Sequence, residues 1–136
     1  MMATMLIRLK IKPGCESRFE EIQTDLYKKT LSLEKDVLCY EFWRGQTPGS
    51  YYCILSFKDY HSFILHHQIS AHHEAATPSL LAVFDEVDVE WVDPIQGASA
   101  FPPTNPQSLP ADAPELARNY AQSFNLACAD WWIALR

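Results

Sequence analysis

The stretch FILHHQISAHHEA, residues 63–75, holds four of the chain's five histidines, His66, His67, His72 and His73, and His61 stands just before it. Imidazole titrates near neutral pH, so it can serve as a proton carrier, a metal ligand or a solvated surface group. The metal reading asks two or three rings to converge on one ion, with Glu74 as a further donor. On a helix, the adjacent pairs His66–His67 and His72–His73 diverge by about 100° and cannot chelate together. Neither His-x-x-x-His nor His-Glu-x-x-His occurs, so no metal is expected. Proton transfer by one or two of the rings is the chemical role that remains, worth about a hundred- to ten-thousand-fold in rate. The plain alternative is that the histidines cap or line a helix end, with His61 and His73 in water.

Other reactive patterns are absent. The four glycines form no phosphate-cradling loop, which argues against a nucleotide cofactor. Ser70 lacks the Gly-x-Ser-x-Gly frame of a nucleophile elbow. Cys15, Cys39, Cys53 and Cys128 make no Cys-x-x-Cys pair and read as reduced thiols, although Cys39 and Cys53 could meet on adjacent strands. A net charge of -6 without a Lys/Arg cluster excludes nucleic acid and anionic membrane surfaces as natural partners. No apolar run reaches the roughly 18 residues of a membrane helix. The first residues, MMATMLIRLKIKPG, lack a secretory pattern, and a cytoplasmic location is the expectation.

The elements that must position the histidines follow from periodicity. Met5, Ile7, Leu9 and Ile11 alternate with Arg8, Lys10 and Lys12, the period of a half-buried strand. Pro13-Gly14 ends it, and Cys15, Phe19, Ile22, Leu26 and Leu33 recur at helical spacing. VLCYEFWR and YYCILSF, separated by GQTPGS, read as a hairpin. Lys58-Asp59 opens a second helical region through the histidines, with kinks expected near Ser70 and before Pro78. Val87, Val89 and Trp91 alternate with acidic residues in a fourth strand. The order βαββαβ is that of a ferredoxin-like α+β sandwich, spanning residues 1–93. Its two central strands carry bulky residues on both faces, Tyr40 and Phe42 against Trp43 on one, Tyr51 and Leu55 against Tyr52 and Ile54 on the other. An apolar sheet face of that size calls for a partner, and a homodimer is expected.

Residues 94–136 differ. Six of the nine prolines lie between Pro94 and Pro114, which makes this stretch an extended strap. Leu116, Tyr120, Phe124, Ala127, Trp131 and Leu135 then describe a terminal amphipathic helix, expected to dock on the domain or a neighbouring subunit through Trp131 or Trp132.

Several strings, taken in order, resemble the antibiotic biosynthesis monooxygenase family, a branch of the dimeric α/β-barrel group that includes small quinol monooxygenases. IKPGCESRFEEI resembles the family's first strand, turn and helix start; VLCYEFWR its second strand; FKDYHSF the strand end and Asp that open its second helix; HQISAHHEA its His-x-x-Ser-x-His segment, here His67, Ser70 and His72. The resemblance runs from Met5 to Asp93 and leaves the strap unexplained. Leu55 and Phe57 stand where the family commonly has Glu and Trp, and Phe57 counts against the haem-cleaving chemistry of related proteins. The spacing from Asp59 fits His66 as the first motif histidine, unless one residue has been inserted ahead of His67.

The resemblance implies oxidation of a small phenolic or quinol-type substrate by O2 without flavin, haem or metal. His67 and His72 would carry protons; His66, Trp43, Tyr40, Phe42 and Tyr52 would hold the flat ring. Because the same architecture also serves silent proteins, a small-ligand-binding or assembly role is the alternative.

Overall fold

The computed structural model describes all 136 residues. Four strands, β1 (Ala3–Ile11), β2 (Val37–Arg44), β3 (Ser50–Phe57) and β4 (Phe84–Trp91), form one antiparallel sheet in the order β2-β3-β1-β4. Helices α1 (Glu16–Leu33) and α2 (Ala71–Val83) pack side by side on one face. This is the ferredoxin-like α+β arrangement expected from the sequence. The alternation in β1 works as it should: Ala3, Met5, Leu9 and Ile11 are buried under the helices, while Arg8 and Lys10 are exposed. Phe19 and Leu26 of α1 meet Cys53, Leu55 and Phe57 of β3 in the same core, each large side chain contributing about 1.5–3 kcal/mol by leaving water.

The opposite sheet face carries Trp43, Tyr52 and Ile54, all exposed, with Trp43 directly across from Tyr52 in the β2–β3 ladder. Arg8 reaches Asp88 and Glu90 there, at 3.1 and 3.2 Å. Cys39 lies opposite Ser56, and Cys53 opposite Phe42. The sheet register thus keeps these two cysteines apart, and all four thiols are free.

The kink expected near Ser70 is a full break. The histidine region is two helices: a wide π-helical segment, Ser62–Gln68, and then α2 with Ser70 as its N-cap. Asp59 accepts hydrogen bonds from both the backbone N–H and the hydroxyl of Ser62, each at 2.8 Å, and starts the first. The Ser70 hydroxyl accepts from the His73 N–H at 3.2 Å and starts the second, the usual device for satisfying free donors at a helix start. Pro78 does not end the helix. Pro78 lies within α2 on an exposed position, where the backbone group left without its partner faces water.

The C-terminal helix is also divided, into α3 (Glu115–Ser123) and α4 (Asp130–Ala134). The carbonyls just after α3 are claimed by the core: Phe124 O accepts from the Tyr60 hydroxyl at 2.9 Å, and Asn125 O from the Trp91 indole at 3.1 Å. Trp131 is not the anchor, being 68% exposed, and Trp132 is only half-buried. Docking instead rests on Ala117, fully buried, and on Phe124 set edge-on to Phe63 at 5.4 Å. The strap between β4 and α3 runs past the start of the chain, where Met2 donates to Pro103 O and accepts from the Asn105 N–H. No helix is long and apolar enough to cross a membrane.

Candidate active site

Glu34 ends α1 in an extended conformation, its N–H still bonded to Thr30 O. That turn directs its carboxylate inward, under the histidine segment, where only 4% of the side chain is exposed. The π-helical segment supplies the partner. Its turns close from residue i to i+5, as in the Ile69 N–H to Ile64 O bond, and so hold one residue more than an α-helix. His66 and His67 are thereby sorted. The His66 side chain is 57% exposed, 3.7 Å from Asp36, whereas His67 is 1% exposed with its Nδ1 2.8 Å from Glu34 Oε2. His72, from the first turn of α2, brings its Nε2 to the same oxygen at 2.5 Å and to Ser70 Oγ at 3.2 Å. Ser70 in turn donates to His67 O at 2.6 Å.

The charge state of this cluster follows from burial. Removal from water pushes the Glu34 carboxyl up to about 6, against the opposing pull of His72. Burial, with His72 alongside, brings the His67 imidazole down to about 3. At neutral pH Glu34 is therefore ionised and His67 neutral, donating its Nδ1 proton to Glu34 and leaving Nε2 as a free base. Glu34 Oε1 has no hydrogen-bond partner and is buried, so both bonds fall on one oxygen.

His67 stands in the wall of a cavity of about 440 Å³ between the sheet and the helices. Fifteen of its 20 lining residues are hydrophobic, a composition suited to a mostly apolar ligand. The sheet contributes Met5, Ile7, Leu55 and Val89; Tyr40 and Phe42 come from β2; Gln23 and Gln68 supply amides; Tyr120 enters from α3 and Phe124 from its C-cap. His73 is part of the same wall, its ring 4.8 Å from that of His67. Burial, reinforced by His67, lowers its imidazole to about 4. Two neutral imidazoles thus face one apolar space.

Of the residues singled out in the sequence, His67, Tyr40 and Phe42 line the cavity. His72 does not line the cavity; it is linked to His67 through Glu34, whose Oε2 both rings share. His66 lies at the surface, and Trp43 and Tyr52 are on the exposed sheet face. Glu34, His73, Gln23 and Tyr120 were not legible as site residues. A charged residue after a long helix reads as solvated, and His73 joins His67 only because the chain breaks at Ser70. An unbroken helix would have put His73 with His66 instead.

Glu34, His67 and His72 are also the one group whose donor atoms could meet a metal, all within 4.8 Å of one another. A tetrahedral ion at about 2.0–2.2 Å from each donor holds them more than 3 Å apart. Here both nitrogens lie at hydrogen-bond distance from one oxygen, so the set fits shared protons better than an ion.

The model of the antibiotic biosynthesis monooxygenase family matches residues 2–78. Among solved structures, a Caulobacter crescentus protein assigned to the antibiotic biosynthesis monooxygenases is 23% identical with a TM-score of 0.63, over 69% of this chain and 90% of that one. Another antibiotic biosynthesis monooxygenase is 22% identical with a TM-score of 0.62, over 70% and 99%. Rv0793 from Mycobacterium tuberculosis is 15% identical with a TM-score of 0.63, over 73% and 100%. At these identities the likeness is one of fold. No curated protein matches by sequence.

Proposed function

Because the chain belongs to the antibiotic biosynthesis monooxygenase family, we propose that its cavity binds a small phenolic or quinol-type ring and that His67 deprotonates it for cofactor-free oxidation by O2. One observation carries this reading: a neutral imidazole, oriented by a buried carboxylate, forms part of the wall of an apolar cavity. A neutral phenol reacts poorly with O2, and its anion is a far better electron donor. His67 Nε2 takes the hydroxyl proton; burial disfavours the imidazolium that forms, and the ionised Glu34 at Nδ1 must offset that cost for the transfer to proceed. The anion gives electrons to O2, and the reduced oxygen bonds to a ring carbon. Loss of water then converts that C–H into C=O. One oxygen atom enters the ring and the other leaves in water, so the substrate supplies all four electrons. His72 shares Glu34 and passes the proton outward, since it lies between the carboxylate and the surface groove. Tyr40 and Phe42 flank the ring from the sheet side, in edge-to-face contact with each other at 5.0 Å. The working unit is a homodimer, joined through the face bearing Trp43, Tyr52 and Ile54.

The test is oxygen uptake and quinone absorbance with a panel of phenols and hydroquinones, in air and without it. Oxygen-dependent turnover that falls about a hundredfold or more in His67→Ala supports the reading. Absence of turnover together with ligand-induced thermal stabilisation would instead make this a small-ligand-binding protein, a role the apolar cavity serves equally well.

A further inference from the structure

We propose that α3, which lies beyond the family match, forms part of the ligand-binding site, and that Tyr120 and Phe124 set the size of ring system the cavity admits. The inference rests on the reading of the cavity as a site for an aromatic ligand, but not on any reaction there. The family match ends at residue 78, yet both side chains belong to the cavity wall. Tyr120 lies in the second turn of α3 and Phe124 is the residue that caps it, its N–H still bonded to Tyr120 O.

Their wall is fixed. The fully buried Ala117 seats α3, and Tyr60 and Trp91 hold the two carbonyls that follow it. The Tyr120 hydroxyl donates to Glu74 of α2, so its polar end is occupied and its ring is what a ligand meets. Burial and that carboxylate raise the phenol to about 12, which keeps it a neutral donor. Tyr120 stands edge-on to His73, with centroids 6.2 Å apart. A ring entering the cavity would therefore find aromatic surfaces from α3 beside the imidazoles, the geometry in which aromatic groups associate favourably. Leu81 and Val87 line the cavity but are 63% and 49% exposed, which places the opening between α2 and β4.

A rigid wall of this kind discriminates by overlap, at about 10- to 200-fold for a small increment of ligand size. The experiment measures binding to the full-length protein without oxygen, by tryptophan quenching, using 2-naphthol as a two-ring probe and 2-hydroxyanthracene as a three-ring probe. The wild type should bind the two-ring probe at least about tenfold more tightly. Tyr120→Ala and Phe124→Ala should reduce or reverse that preference by improving three-ring binding, and Leu135→Ala, at an exposed site, should leave it unchanged. Tyr120→Trp and Phe124→Leu keep the packing and guard against loss of fold: the first should weaken both probes, the second should relax the preference. A preference that moves less than about twofold across these variants overturns the role of α3 while leaving the catalytic reading intact. Probes that bind and respond as described but are never oxidised in air overturn the catalytic reading alone. No binding of either probe ends both.

Discussion

Lowering the pH from 7 to 5 should destabilise the protein by about 3 kcal/mol through its buried histidines. An unfolded histidine titrates at 6.5, whereas His67 and His73 remain neutral in the folded chain down to about 3 and about 4. Between pH 6.5 and 4 the unfolded state therefore binds more protons, and stability falls as the pH falls. Integrated from pH 7 to 5, each histidine costs about 2 kcal/mol. Glu34 acts in the opposite sense. Its folded carboxyl takes a proton near pH 6 and its unfolded one near 4.5, so acidification through that window returns about 1 kcal/mol. Urea titrations followed by tryptophan fluorescence at half-unit pH steps would measure the net loss. His73→Gln, which removes one titrating ring from the cavity wall, should cut it by about two thirds. A stability that is flat or rising between pH 7 and 5, or an unchanged slope in His73→Gln, would refute the assignment of both rings as buried and neutral.

Glu34→Gln should reduce turnover about a hundredfold by removing the charge that stabilises the His67 imidazolium. It should also lower the unfolding free energy by about 1–3 kcal/mol, because the new amide nitrogen falls where Oε1 has no partner. In the wild type, activity should decline below pH about 6 as Glu34 gains its proton, and that limb should vanish in the variant's pH–rate profile. Light scattering should give twice the 15.6 kDa chain mass, and Tyr52→Glu combined with Ile54→Asp should return the monomer by placing charges on the exposed sheet face. Ser70→Ala should cost about 1 kcal/mol in chemical denaturation through loss of the α2 cap. Prolonged dialysis against a chelator should leave oxygen uptake unchanged, since proton transfer here is assigned to the side chains of His67 and His72; a loss restored by zinc or iron would contradict that assignment.

Much of this molecule is written in short-range pattern. The alternation of Met5 to Ile11, the helical recurrence of Phe19, Ile22 and Leu26, and the hairpin through Gly45–Gly49 each depend on which face of a local element meets water. Burial on one side imposes a period that the sequence displays, and the order of those periods leads to the sheet. The same logic set Tyr40 and Phe42 on the strand face opposite Trp43, but it could not say which face meets the helices, and so Trp43 and Tyr52 were named beside them. The site itself required tertiary structure. Whether Glu34 is solvated or buried depends on what covers the end of α1, and the covering segment lies more than thirty residues away. The one-residue difference between His66 and His67 depends on a widened helical turn, which composition does not encode. The break at Ser70 decides that His73, and not His66, shares a wall with His67. The C-terminal stripe was legible as amphipathic, but a period cannot say which surface receives it. Only the carbonyls of Phe124 and Asn125, taken up by Tyr60 and Trp91, fix where α3 ends and which cavity it closes.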